Sequence, residues 1–282
     1  MSQNQAFSQE EITAMGEAVD QLIALDVGGR KVVRLLYPFV RERYGRPLCL
    51  MAAEKLRERV SHGDFVLITC GMLIYPYEDL SETDGPVGGA LLARALQMGL
   101  GAKPMVLTDQ AALPVAGAAC RGANLNVTEL ATVKRTERTM TVRGFPIDEQ
   151  EARREAKRIF DELKPKAIIA IERRGRNEKG VYHALPKGRN MNHVEAKMVA
   201  LYDVAKERGV LTIGIGDGAN EIGWGDCERR DQGQDTLRRP VCVRLRRRHR
   251  RHHAGGRVYP RLRLKLGRLR DHCLSVGPAP ET

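Results

Sequence analysis

Short apolar runs alternate with amphipathic stretches along most of the chain. Apolar runs that end in glycine or polar residues are typical of strands buried on both faces of a sheet. These runs occupy residues 64–71, 104–107, 125–130, 167–171 and 210–215. Segments with a helical period lie between them, at residues 86–100, 110–120, 148–163 and 192–208. The alternation predicts an α/β fold with a largely parallel sheet and helices on both faces.

The first sixty residues have a different pattern, with helical periodicity and no strand-like run. Three amphipathic stretches cover about residues 8–25, 31–44 and 48–60, and Gly28-Gly29 separates the first two. Ser8, followed by two glutamates, is a helix start signal. The sequence therefore predicts a helical lead-in over residues 1–60 that precedes the sheet, within a single α/β domain over residues 1–239.

Charge is distributed unevenly along the 282 residues, a length that can bury a sizeable core. The net charge is +12, but residues 1–228 hold 31 basic and 31 acidic residues, whereas residues 229–282 hold 16 basic and 4 acidic ones. The body is electrostatically balanced. A nucleic-acid partner would depend on the tail alone, and we do not expect one.

Several other classes of protein are disfavoured by composition. No apolar run approaches the roughly 20 residues that cross a bilayer, and the polar amino terminus has no secretory pattern. The six cysteines are scattered without a CxxC pair, which argues against a structural zinc site or a disulfide framework. We expect a cytoplasmic protein that does not insert into membranes.

Three polar loops stand out in the sequence. Each follows a predicted strand or precedes a predicted helix. The first is Ser81–Pro86, with Glu82, Asp84 and Gly85 just before a helix. The free N–H groups at a helix start can hold a carboxylate or phosphate, and glycine permits close approach. An acidic N-cap followed by proline explains the same residues without a ligand.

The second loop, residues 172–182, directly follows the 167–171 run. Glu172 is placed to face a cleft, Arg173 could grip a carboxylate in bidentate fashion, and Asn177 is a further substrate-binding candidate. We interpret Arg174, Glu178 and Lys179 as solvated charges.

The third loop, residues 214–223, combines four glycines, two carboxylates and one amide. It fits neither a Walker A sequence nor a dinucleotide-binding fingerprint. A structural turn would need the glycines but not the acidic and amide side chains. The candidate site residues here are Gly216, Asp217, Gly218, Asn220 and Glu221. His183 and His193 lack metal-ligand spacing, so no metal ligand is assigned to them.

These loops carry a resemblance to a known family. The stretches ETDGP (82–86), IERRGRNEKGVY (171–182) and GIGDGANEIGWG (214–225) resemble the D-glutamate cyclase family, over roughly residues 30–228. The resemblance implies a hydro-lyase that closes D-glutamate into 5-oxo-D-proline with loss of water. Such chemistry needs a base, an acid and an oxyanion site.

The resemblance also suggests roles for the candidate residues. Asp84 and Asp217 are the first candidates for acid and base, with Glu82 and Glu221 next. Asn220 and the N–H groups of the loop glycines would bind the oxyanion, and Arg173 would bind the α-carboxylate. We expect no cofactor, although the acidic loops could hold Mg²⁺ instead.

Two alternatives to this enzyme remain open. The domain could be a non-catalytic α/β module that binds a small acidic metabolite, or an enzyme for another acidic metabolite. Turnover of D-glutamate distinguishes an enzyme from a binding module. Oligomeric state and stereospecificity are not encoded in any pattern of the sequence.

The carboxyl-terminal residues 240–282 differ from the rest in composition, with the run RLRRRHRRHH near residue 250. We predict that this basic tail is translated out of frame and does not belong to the fold. With suitable codons in a GC-rich gene, residues 246–253 can be read one base over as Gly-Gly-Gly-Ile-Ala-Asp-Thr-Thr and residues 265–273 as a stretch containing Ser-Asn-Trp-Gly, both similar to the family. The chain would then be poorly stable or inactive. The nucleotide sequence tests this, and a basic nucleic-acid-binding arm is the alternative.

Overall fold

A computed structural model describes residues 7–184, 188–218 and 220–223. The predicted basic tail therefore lies outside the described residues. Eight helices occur in this part of the chain: α1 (Gln9–Ile23), α2 (Val33–Tyr44), α3 (Leu48–Arg59), α4 (Asp84–Leu100), α5 (Leu113–Gly122), α6 (Leu130–Arg135), α7 (Glu149–Leu163) and α8 (Val199–Glu207).

The described strands form one large sheet and two small hairpins. In chain order they are β1 (Phe65–Thr69), β2 (Leu73–Ile74), β3 (Tyr77–Ser81), β4 (Lys103–Thr108), β5 (Asn126–Val127), β6 (Thr139–Gly144), β7 (Ala167–Ile171), β8 (His183–Ala184), β9 (Arg189–Asn190) and β10 (Leu211–Ile215). The large sheet has the order β10-β7-β1-β4-β6-β5, and its neighbouring strands pair in parallel. The predicted parallel α/β architecture is confirmed.

Helices cover both faces of this sheet. On one face, Val66 and Ile68 of β1 pack with residues of α4 and α5 such as Leu96 and Cys120. On the other face, Leu67 joins residues of α7 and α8. Both faces of the central strands are thus buried, which explains why their sequences are continuous apolar runs.

The lead-in is helical, as predicted, and a buried carboxylate organises it. Asp20 of α1 accepts hydrogen bonds from the backbone N–H groups of Leu48 (2.6 Å) and Cys49 (2.8 Å) at the start of α3. The Tyr37 hydroxyl of α2 donates a third, at 3.1 Å. Asp20 therefore satisfies the free N–H groups of α3 and holds all three helices together.

The structure differs from the predicted elements in several places, and neither helix α6 nor the β8–β9 hairpin was predicted. Strand β6 was not predicted because buried threonines at 139 and 141 interrupt its apolar pattern. Only residues 126–127 of the 125–130 run form a strand. The β2–β3 hairpin, between β1 and α4, was also not predicted. Helix α8 begins at Val199, because the preceding N–H groups of Ala196 and Lys197 donate to Asp109 and Pro146 instead of continuing a helix.

The strand order places a crevice at the centre of the sheet. From β1 the chain moves to β4 on one side, and later returns to β7 on the other side. Ligands of open α/β sheets bind beyond the strand carboxyl ends at such a reversal. In the described part of the chain, no helix combines the length and apolar character needed to cross a membrane.

Candidate active site

Five carboxylates from the three predicted loops meet at this reversal. Carboxylate oxygens of Glu82, Asp84 and Glu172 lie within 4.8 Å of one another, and so do those of Glu172, Asp217 and Glu221. Glu172 belongs to both groups and therefore lies at the centre. The three loops chosen from the sequence thus meet at one site, whereas the role of each residue stays a prediction. We call these five residues the carboxylate cluster.

Glu172 is the most perturbed member of the carboxylate cluster. It directly follows β7 and its backbone adopts φ +43°, an uncommon conformation for a residue with a side chain. Burial, together with the negative charges of Glu221, Asp84 and Glu82, raises its pKa to about 8. Burial and the charge of Asp84 also raise the pKa of Glu82. Carboxyl groups that hold protons near neutral pH are suited to acid–base chemistry.

Glycines allow the loops to approach this closely. A Cβ atom on Gly85, at the start of α4, would lie 3.1 Å from the carbonyl oxygen of Ile171 and 3.3 Å from Cβ of Glu172. A Cβ atom on Gly216 would lie 2.8 Å from Cβ and Cγ of Glu221. A side chain on Gly85 would push the first loop away from Glu172, and a side chain on Gly216 would displace Glu221 within the third loop.

Glu221 also holds its own loop together. Its carboxylate accepts hydrogen bonds from the backbone N–H groups of Gly218 (2.8 Å) and Asn220 (3.1 Å). The Asn220 side chain donates to the carbonyl oxygen of His183 at 3.1 Å. These donors already have acceptors, so the oxyanion role expected of Gly218 and Asn220 does not follow from their geometry.

Arg173 lies beneath the carboxylate cluster and is fully buried. Its guanidinium pairs with Asp109 and with Glu195, the latter at 2.8 Å, and donates to the carbonyl oxygens of Gly71 and Ala196. We expected this side chain to bind a substrate carboxylate. Two protein carboxylates already take that place, which makes Arg173 a positioning residue.

Two further residues of this loop also differ from expectation. Arg174 is buried rather than solvated, pairs with Glu195 and donates to the carbonyl oxygen of Leu73 at 3.1 Å. Burial and the neighbouring Arg173 lower its pKa to about 10. Asn177 is exposed, and its side-chain oxygen accepts from the N–H groups of Lys179 and Val181, so it stabilises a turn.

Sequence comparison identifies the family to which this fold and site correspond. A family model described as "D-glutamate cyclase-like, C-terminal" matches residues 19–232. The chain belongs to this family. It is also 29% identical over 216 residues to "D-glutamate cyclase, mitochondrial" of Homo sapiens, an alignment that covers 73% of this chain and 31% of the human protein. The chain thus spans less than a third of that relative's length.

Sequence reasoning missed three charged residues around the site of this D-glutamate cyclase-like domain. Asp109 and Glu195 support Arg173 from below. Asp109 directly follows an apolar strand, a signal that could have identified it. Arg30, from the loop between α1 and α2, forms an ion pair with Asp217. No pattern in the lead-in pointed to Arg30.

Proposed function

We propose that this domain is a hydro-lyase that converts D-glutamate into 5-oxo-D-proline and water. The observation that carries the proposal is Glu172, a carboxyl group with a pKa of about 8 at the centre of a carboxylate cluster, in a chain of the D-glutamate cyclase-like family. The similarity to the human D-glutamate cyclase supports the same activity.

The reaction transfers protons within one molecule. The α-ammonium group must become a free amine, whose nitrogen then attacks the carbon of the side-chain carboxyl group. A C–N bond forms, a C–O bond breaks, and one oxygen leaves as water. The nitrogen gives up two protons and the departing oxygen gains two, so the overall reaction neither consumes nor releases protons.

Glu172 is the group best suited to carry these protons. With a pKa of about 8 it is populated in both protonation states near neutral pH, so it can take a proton from the ammonium group or give one to the leaving oxygen. Asp84 and Asp217 belong to the two different groups of carboxylates that share Glu172. They remain the proposed partners for the second transfer. Glu82 and Glu221 would complete the acidic wall.

Closing a five-membered ring is already intramolecular, so a site that holds the folded conformer can contribute much of the rate enhancement. The carboxylate cluster would attract the α-ammonium group of D-glutamate. This places the nitrogen next to Glu172 before the proton transfer.

A magnesium-dependent version of the site is the second candidate. Glu172, Asp217 and Glu221 present oxygen atoms within 4.8 Å of one another, and oxygen is the ligand type that Mg²⁺ prefers. A bound ion would stabilise negative charge on the reacting carboxyl group. Activity that is lost in chelator and restored by Mg²⁺ supports this version.

The test is turnover by the full 282-residue protein of D-glutamate and, separately, L-glutamate, with 5-oxoproline measured by chromatography. We expect product from D-glutamate, made by the chain in its restored reading frame if the nucleotide sequence shows that residues 240–282 are out of frame. Binding of D-glutamate by calorimetry without product formation would favour the non-catalytic binding module. Neither binding nor product would overturn the proposal.

A further inference from the structure

The carboxylate cluster leaves an anionic substrate without an obvious counter-charge. Five acidic side chains approach one another here. The two arginines that follow β7, Arg173 and Arg174, are buried and already paired with Asp109 and Glu195. Protein carboxylates neutralise both guanidinium groups, although Nε of each has no hydrogen-bond partner. A substrate with two carboxylates needs a cation from elsewhere.

Arg30 approaches the cluster from the helical lead-in. Its side chain is 59% exposed and contacts Asp217, whose side chain is 37% exposed. The positive charge of Arg30 also opposes the rise in pKa of both Glu82 and Glu172. The guanidinium is therefore electrostatically coupled to three members of the cluster while remaining open to solvent.

The backbone of this loop is fixed although the Arg30 side chain is exposed. Asp26 has a side chain that is only 4% exposed, and it accepts hydrogen bonds from the N–H groups of Arg30 (2.9 Å) and Lys31 (2.5 Å). Lys31 adopts φ +63° to complete the turn. The turn points Arg30 towards a loop 187 positions further along the chain.

We propose that Arg30 binds the carboxylate of the substrate that does not react, the α-carboxylate if the proposed cyclisation is correct. This group keeps its charge in substrate and product, so a fixed guanidinium can hold it throughout the reaction. Binding transfers Arg30 from Asp217 to the substrate and frees the Asp217 carboxylate for the ammonium group. The inference rests on the proposed function, and it assigns substrate selection to the lead-in.

The test compares two substrates in the full-length protein. D-Glutamate carries the α-carboxylate, and 4-aminobutyrate, which closes to 2-pyrrolidinone, lacks it. We expect Arg30→Gln to raise KM for D-glutamate at least tenfold and to change kcat/KM for 4-aminobutyrate less than threefold. Arg30→Lys should be intermediate, because it keeps the charge but not the bidentate geometry.

Arg34→Gln is the matched control. Arg34 lies on the same segment, is 72% exposed and approaches Asp26 only to 3.9 Å. We expect its KM to equal that of the wild type, and melting temperatures of both variants to stay close to the wild type because exposed ion pairs contribute little. An unchanged KM in Arg30→Gln, or an equal loss with both substrates, would overturn the role of Arg30.

A binding measurement separates this inference from the proposed reaction. Glutarate has two carboxylates and no amine, so it cannot cyclise. If wild-type protein produces no 5-oxoproline, the proposed reaction fails, but calorimetry should still detect glutarate binding that Arg30→Gln weakens at least tenfold. Equal glutarate affinity in the two proteins, or no binding by wild type, contradicts the inference.

Discussion

Two layers of charge lie at the carboxyl end of β7, and they differ in how the charges are balanced. The lower layer consists of Arg173, Arg174, Asp109 and Glu195, all buried, with each cation matched by a carboxylate. The upper layer is the carboxylate cluster of five acidic groups. One of them, Asp217, forms an exposed ion pair with Arg30.

The difference shows what each arrangement can do. Matched buried charges lock the loop after β7, but they offer nothing to a ligand. Burial and the repulsion between neighbouring carboxylates raise the pKa of Glu172. Glu172 belongs to the upper layer and Arg173, the next residue, to the lower one. The two functions are therefore separated by a single peptide bond.

Disrupting the lower layer should have the largest effect on the free energy of unfolding. Arg173→Met would leave Asp109 buried without its cation and Glu195 with Arg174 alone, and losing one partner of a buried ion pair costs about 3–5 kcal/mol. We expect a fall of that size in the free energy of unfolding in urea, measured by circular dichroism.

Arg30→Met provides the contrast, since its ion pair is exposed. We expect a change below about 1 kcal/mol there. Similar losses of stability in the two variants would mean that the layers are not distinct.

Neutralising the upper layer should affect turnover rather than folding. Glu172→Gln keeps the size of the side chain and removes its proton transfer. We expect kcat with D-glutamate to fall on the order of 100-fold or more, with no loss of stability. Glu178→Gln, in the exposed part of the same loop, serves as the control and should keep wild-type kcat. Near-normal kcat in Glu172→Gln would remove this residue from the catalytic groups.

The sequence predicted the parts of the fold that rest on local pattern. The runs at β1, β4, β7 and β10 are continuous and apolar, so each identified a strand, although β10 is only partly buried. Strand β6 was not predicted, because Thr139 and Thr141 are polar residues that become buried only when the sheet has formed. The start of α8 was not predicted correctly, because the Ala196 N–H group donates to Asp109 instead of continuing the helix.

The site was predictable to a similar degree. Glu172, Asp217 and Glu221 follow parallel strands whose carboxyl ends share an edge, and this accounts for part of the carboxylate cluster. Glu82 and Asp84 follow the antiparallel β2–β3 hairpin instead. Which arginine faces the ligand could not be predicted, because Arg173 and Arg174 depend on Asp109 and Glu195, both distant in sequence. Arg30 reaches the site only through the packing of the lead-in.

A smaller effect on stability is expected at Gly216, which leaves room for Glu221 of the carboxylate cluster. In Gly216→Ala the new methyl group would lie 2.8–2.9 Å from Cβ, Cγ and Cδ of Glu221, so the acidic side chain must shift. We expect a loss of about 1–3 kcal/mol in unfolding free energy, together with reduced kcat. Gly99→Ala in α4 meets no atom within 4 Å and should stabilise by about 0.5–1 kcal/mol. A neutral Gly216→Ala would show that the Glu221 position is not constrained.

The last predicted effect is a pH dependence of stability that originates in Glu172. Its pKa is raised from the ordinary 4.5 to about 8, so between these pH values the folded protein binds a proton that the unfolded chain has lost. The stability contributed by this group must therefore fall as pH rises from about 4.5 to 8 and stay constant above that range. Glu172→Gln cannot lose a proton, so its melting temperature relative to wild type should rise through the same window, and about 1 kcal/mol of stability corresponds to 2–4 °C in a domain of this size. At pH 4 position 172 is neutral in both proteins, and the difference there is the baseline. A difference that stays flat from pH 4 to 9 would mean that Glu172 titrates normally, and the excess of negative charge that distinguishes the upper layer from the lower one would then have no energetic consequence.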